Sequence, residues 1–335
     1  MKERLYKRLN TLSLIAFIIV LSALDSYAQA DSSFIRHGNP FALIFTDINY
    51  TFSKEGNTKA FELTRGYLGY EYFFSNNISS RINIDIANPG TGQLQMTAFI
   101  KNAFVQYKDE TISARFGMIN TDQFSLQESQ WGHRYIYMSF QDAYKFGPSA
   151  DLGAAFGYSP SKIISFDFSV LNGEGYKKVQ IDSVFKTTFG FRLRTPNGFA
   201  LRGYYDRMKN DYAQTTLAFM AAYTIKKFKT GLEYNIQKNN GMINGNDFSG
   251  ISVYASIGVA QKFSIYSRYD YLMSAVPDNA TDPWNLSKDG HYFIAGFDYT
   301  PVEGIKIAPV YFGYLPEDDL RPFTSRLGLY FEIRF

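Results

Sequence analysis

The chain has no cysteine among its 335 residues, which excludes disulfides and thiolate metal sites. Histidine occurs only at His37, His133 and His291, so there is little material for a histidine-based metal or catalytic centre. Beyond segment 1–28 no run of eighteen apolar residues occurs, and no transmembrane helix is expected. If the chain spans a membrane, it must then do so as a closed barrel, because every backbone polar group in lipid needs an internal partner. The formal net charge is only +3, without a basic cluster, so nucleic acid is not expected as a partner. No linker or composition shift divides residues 41–335, which read as one domain.

What the chain does have is aromatic residues, 18% of the total, with 31 Phe and 26 Tyr. That suits the interfacial girdles of a membrane barrel. At the N-terminus, Lys2, Arg4, Lys7 and Arg8 precede the apolar stretch Leu12 to Leu24. Small residues follow at Ala28 and Ala30. Segment 1–28 therefore reads as a signal peptide cleaved after Ala28 or Ala30, and 29–40 as a periplasmic leader.

The clearest strand is the last, Ser325 to Phe335. Leu327, Leu329, Phe331, Ile333 and Phe335 alternate with Arg326, Gly328, Tyr330, Glu332 and Arg334. Such period-2 alternation marks a strand with unlike surroundings on its two faces. The terminal aromatic resembles the C-terminal signature of bacterial outer-membrane barrels, and Phe335 is expected to be read by the barrel assembly machinery. Further strands are predicted near 41–53, 60–74, 78–87, 96–108, 111–119, 149–159, 162–171, 183–195, 198–208, 213–225, 228–238, 248–259, 262–273, 290–300 and 304–314. Tight turns such as Asp109-Glu110 and Lys226-Lys227 alternate with longer segments. The layout predicts an all-β, transmembrane, antiparallel up-and-down β-barrel of about 16 strands, with 14 and 18 as alternatives. Its surroundings would be the lipid of the outer membrane of a Gram-negative bacterium.

If the apolar faces meet lipid, the other faces line a lumen. That set includes Arg81, Arg115, Arg192, Arg194, Arg202, Glu233, Arg268, Asp270, Arg326 and Arg334. So many charges cannot sit in a dry core unpaired. A water-filled channel accommodates them, and a mesh of ion pairs across the wall accommodates some. The basic excess predicts a mild anion preference. Face assignment is ambiguous in the second and fourth strands, where Lys101 lies between Phe99 and Ala103.

Segment 120–148 breaks the pattern. It is long for a loop and rich in aromatics, among them Phe124, Trp131, Tyr135, Tyr137, Phe140 and Phe146. We expect this third long loop to fold into the pore, leaving Glu128, Arg134, Asp142 and Lys145 at the constriction. The alternative is an ordered external cap. His133 reads as a hydrogen-bonded packing residue.

The stretch WGHRYIYMSFQDAYKFGPSADLG, residues 131–153, followed by alternating strands and a terminal Phe, resembles porins related to the phosphate-selective porin O and P family. The resemblance implies sixteen strands, a homotrimer and passive transport. Phosphate selectivity in that family rests on an arginine ladder and constriction lysines. Glu128 and Asp142 depart from such a pattern, so phosphate specificity is not carried over.

No enzyme is expected. His291 lies near Asp289 and Ser287, and Pro89-Gly90-Thr91-Gly92 holds a Gly-x-Gly turn, but neither has the context catalysis or nucleotide binding needs. Asp278, Asp282 and Asp289 have calcium-type oxygen ligands but read as a solvated acidic loop. No metal or cofactor is expected. The functional expectation is an outer-membrane porin for passive diffusion of small polar or anionic solutes and ions. The alternative is an occluded structural or binding barrel that docks a surface partner.

Overall fold

Successive side chains of a strand point to opposite sides, so alternating apolar and polar residues build a sheet with two unlike faces. The structure, a computed structural model, describes residues 34–88 and 96–335. The described residues form sixteen strands. The first five are β1 (His37–Phe52), β2 (Thr58–Phe73), β3 (Ile78–Ala87), β4 (Thr97–Lys108) and β5 (Ile112–Asn120). After a long connection come β6 (Ala150–Tyr158), β7 (Ile164–Leu171), β8 (Lys186–Arg194), β9 (Phe199–Lys209) and β10 (Ala213–Ile225). The last six are β11 (Phe228–Lys238), β12 (Phe248–Gly258), β13 (Phe263–Ser274), β14 (Gly290–Tyr299), β15 (Ile305–Pro316) and β16 (Thr324–Arg334). Each strand pairs antiparallel with its sequence neighbours, and β1 pairs with β16 to close the barrel.

The signal-peptide segment and the Pro89–Gly92 turn lie outside the described residues. β1 begins at His37, inside the segment read as a leader. Gly38 and Pro40 weaken the strand signal there, yet β2 runs on to Phe73 and pairs with this stretch back to His37.

The faces are inside out relative to a soluble sheet. Phe116 is 67% exposed, Phe219 53% and Leu327 52%, whereas Asp85, Asp206 and Asp270 are fully buried. An outward apolar surface on a closed barrel is the form in which strands span lipid.

Two register shifts explain the ambiguous strands. On β2, Phe45 pairs with Arg65 and Thr46 with Leu63, so Thr64 is an extra residue. On β4, Asn83 pairs with Asn102 and Ile84 with Ile100, so Lys101 is extra. Each is a β-bulge, after which the inward row changes parity. Lys101 thus follows inward Phe99 and precedes inward Asn102.

Segment 121–149, between β5 and β6, holds two short helices, α1 (Ser125–Trp131) and α2 (Phe140–Ala143). α1 ends at Gly132, whose φ of 71° gives the left-handed turn that a glycine adopts without penalty. The core of the molecule is where this segment meets the wall. Leu126, Trp131, Tyr135 and Ile136 cluster with the buried faces of Phe45, Ala200, Tyr254, Ile294, Phe312 and Tyr330. Phe140 and Phe146 pack on Phe248 and Leu272. Gly250 of β12 leaves room there, since a Cβ would sit 2.5 Å from the Phe140 ring. Burial is worth roughly 1.5–3 kcal/mol for each large apolar side chain, so this cluster holds the segment firmly.

Candidate functional site

The site is built from two sides of the inner wall. On one side, segment 121–149 packs mainly on the inner faces of β8 to β16 and on Phe45 of β1. Arg202 of β9 is 2% exposed. Its guanidinium meets Asp167 at 2.5 Å and donates to the Asp122 carbonyl at 2.7 Å. Arg268 of β13 binds Asp270 through Nε and Nη2, both at 2.7 Å, and donates Nη1 to the Met138 carbonyl at 2.7 Å. Its guanidinium also lies 5.1 Å from the Trp131 ring centroid. Gln237 donates to the Phe146 carbonyl at 2.8 Å, and Arg192 to Ser125 Oγ at 2.9 Å. Glu233 is buried on β11, on the same face as Asn235.

These positions correct a sequence expectation. The alternation places Arg202, Glu233, Arg268 and Asp270 against water, but they are buried, and both arginines hold segment 121–149. Alternation tells which way they point and not what covers them.

The other side, which shares β1, β15 and β16 with the first, is open. A cavity of about 750 Å³ lies between α1 and the inner faces of β1 to β5, β15 and β16. Among its lining residues, Arg81, Lys101, Arg134, Lys306 and Arg334 are basic, and Glu71, Glu128 and Glu332 are acidic. Lys306 pairs with Glu332 at 3.0 Å, and Arg334 lies 3.7 Å from the same carboxylate. Arg81 stacks over Phe41 at 4.4 Å, with Glu71 opposite it on β2, and Lys101 stacks over Tyr67 at 4.9 Å. A ladder of amides runs beside them: Asn83 donates to Asn102 at 3.4 Å and Asn102 to Asn120 at 2.9 Å.

Of the four loop residues singled out by sequence, Glu128 and Arg134 line this cavity. Asp142 is 6% exposed and takes Arg134 at 3.2 Å and Lys145 at 3.8 Å. The Lys145 side chain is 62% exposed. Loss of surrounding water nonetheless pushes its ammonium below the ordinary lysine range, against the pull of Asp142, with Arg134 and Arg65 adding repulsion. Arg115 pairs with Asp122 at the base of the segment and donates to the Asn120 carbonyl at 3.1 Å. Arg326 donates to Thr51 Oγ1 at 3.2 Å across the β1–β16 seam, and Arg194 is exposed at the end of β8. Phe335 is 71% exposed, with its backbone paired to Ala42 in both directions, at 2.8 and 3.1 Å.

Sequence reading missed Asp122 and Asp167, the partners of Arg115 and Arg202. Neither acid lies near its arginine's row in a way that spacing reveals. His291 faces Tyr269, at 2.8 Å, and Glu317, at 3.4 Å, not Ser287. Asp289 is engaged by the Ser274 N–H at 3.0 Å.

Closure at sixteen strands, an outward apolar surface and charged inner faces define an outer-membrane β-barrel of porin architecture. Solved structures share the fold. OmpF of Salmonella typhi, solved with daunomycin, superposes with a TM-score of 0.68 at 12% identity, over 89% of this chain and 97% of that one. The outer membrane channel DcaP of Acinetobacter baumannii gives 0.66 at 12% identity, over 91% and 99%. The anion-selective porin from Comamonas acidovorans gives 0.64 at 9% identity, over 90% and 100%. No protein-family model and no curated protein matches the chain.

Proposed function

We propose that the protein is a porin, a passive channel for small polar solutes and ions with a mild preference for anions. Segment 121–149 narrows the barrel from one side. The water path runs on the other, past Arg81, Lys101, Arg134 and Lys306. The observation that carries this reading is the asymmetry of the inner wall. One side is filled by aromatic packing, and beside it lies an open cavity whose basic groups outnumber its acids. Charges in a narrow space act on a passing ion with little screening, so this excess favours anions. That one structural neighbour is an anion-selective porin is consistent with that preference. We further propose a homotrimer, as for the trimer form of OmpT from Vibrio cholerae. Delivery by the barrel assembly machinery through Phe335 and a non-enzymatic role belong to the same reading.

The test is single-channel conductance and reversal potential of the purified protein in a planar bilayer under a salt gradient. Deleting 124–142 is expected to raise conductance and weaken selectivity. Neutralising Arg134 and Lys145 together should move the reversal potential towards cations. A silent bilayer would favour an occluded barrel that docks a partner, and unchanged values in both variants would favour an external cap.

A further inference from the structure

Between α1 and α2, segment 121–149 meets the wall at one carboxylate. Asp298 lies on β14 and is 6% exposed. Its Oδ2 receives His133 Nε2 at 2.8 Å and the Ser264 hydroxyl at 2.9 Å, and its Oδ1 receives the Tyr135 hydroxyl. The second ring nitrogen of His133, Nδ1, stands 2.5 Å from the Trp131 carbonyl oxygen. A carbonyl oxygen can only accept. A carboxylate that already takes two hydroxyl protons also accepts. A neutral imidazole has one N–H, so in that state one of the two contacts would set lone pair against lone pair. With Asp298 ionised, both are satisfied only when both nitrogens carry protons. The ring also lies against the Tyr266 and Trp131 rings, at 4.2 and 4.8 Å between centroids, and aromatic faces suit a cation.

We propose that His133 is doubly protonated when segment 121–149 is seated, and that the His133–Asp298 pair is a positioning latch that sets the width of the water path. This rests on the reading of the protein as a channel narrowed by that segment.

The neighbouring charges leave the two groups to each other. Arg268, near Trp131, is taken by Asp270 at 2.7 Å. Lys306 of β15 lies 5.4 Å from the Tyr135 ring and is taken by Glu332 of β16 at 3.0 Å. Tyr266 of β13 and Tyr330 of β16 are neutral phenols. Tyr135 is held well above its ordinary pKa, first by burial and then by the Asp298 charge, so it remains a donor. Arg134 turns away to Asp142. Among the described residues, the ion pair of Asp298 is with His133 alone. The seated state therefore binds a proton that the released state need not hold. By linkage, low pH favours seating and rising pH releases the latch.

Two readouts separate the possibilities. Conductance of the full-length protein is followed from about pH 5 to about pH 9, the range that brackets imidazole titration. In parallel, Trp131 fluorescence is followed in a Trp284→Phe background, where it is the sole tryptophan. Wild type is expected to show a rise in conductance with pH, and a rise in Trp131 emission as the adjacent cation is lost. His133→Gln and Asp298→Asn should lose both steps while keeping a heat-modifiable barrel. Asp298→Glu should recover the fluorescence step. If deleting 124–142 changes conductance but wild type shows neither step, the latch is overturned and the channel reading stands. Steps that persist in His133→Gln also overturn it. A fluorescence step in wild type without a conductance step, where deleting 124–142 does change conductance, overturns the latch's control of the path width and leaves the channel reading standing; conductance that responds neither to pH nor to the deletion counts against the channel reading itself.

Discussion

A buried arginine on an inner wall is stable only while its partner stays in place. Arg202 has a side chain with no exposed surface, and its charge is met by Asp167 and the Asp122 carbonyl. Removing one member of such a pair strands the other. Arg202→Ala is therefore expected to cost about 3–5 kcal/mol, read as a lower midpoint in thermal unfolding followed by gel mobility. Gly190 belongs to the same cluster, since a Cβ there would come 2.3 Å from Asp167 and 2.6 Å from Arg202. On the opposite face the rule reverses. Phe219, midway along β10, is 53% exposed towards lipid. Phe219→Arg should destabilise by roughly 2–4 kcal/mol if the site is near the bilayer midplane, measured as reversible unfolding in lipid. Alternation by itself tells these two faces apart. It does not tell that Arg202 and Arg268 lie under a loop while Arg81 and Arg334 line a cavity, because all four obey one pattern. What differs is contact with residues distant in sequence.

At the scale of elements, strand positions were legible because each strand repeats one simple signal. The faces of β2 and β4 were not, and the reason is physical. A single extra residue changes which parity points inward, and Thr64 and Lys101 are such residues. The consequence is testable. Deleting Lys101 removes the bulge and leaves Phe99 and Asn102 on one face, so folding in lipid should still give a heat-modifiable barrel. Deleting Phe219 from the regular strand β10 should not, because everything beyond it changes face. Equal yields from both deletions would contradict the bulge assignment. Segment 121–149 was legible as something other than a solvated loop, since its aromatics could not all be left in water. Its two helices were not legible, being too short for any periodic signal.

For the whole molecule, closure depends on one seam. β1 and β16 pair from Leu43 and Arg334 to Phe52 and Ser325, and Phe335 adds two backbone bonds to Ala42 beyond them. Deleting Phe335 is expected to lower the yield of assembled barrel while export continues, checked by heat-modifiability against total envelope protein. Full yield would separate the terminal residue from assembly.

The seam and segment 121–149 together bear on the order of folding. His133 and Tyr135 find their partner 165 and 163 residues further along the chain, and Arg326 reaches Thr51 across 275. A wall whose strands are all paired has no side entrance. Segment 121–149 joins β5 and β6 at one end of the barrel, so on the proposed seating it enters through that open end once the first and last strands have met. Contacts this distant form slowly. During refolding, protease sites between 121 and 149 should therefore close late, with or after the appearance of the heat-stable band. Cleavage there that persists after the band is complete would mark closed barrels whose aromatic segment is unseated.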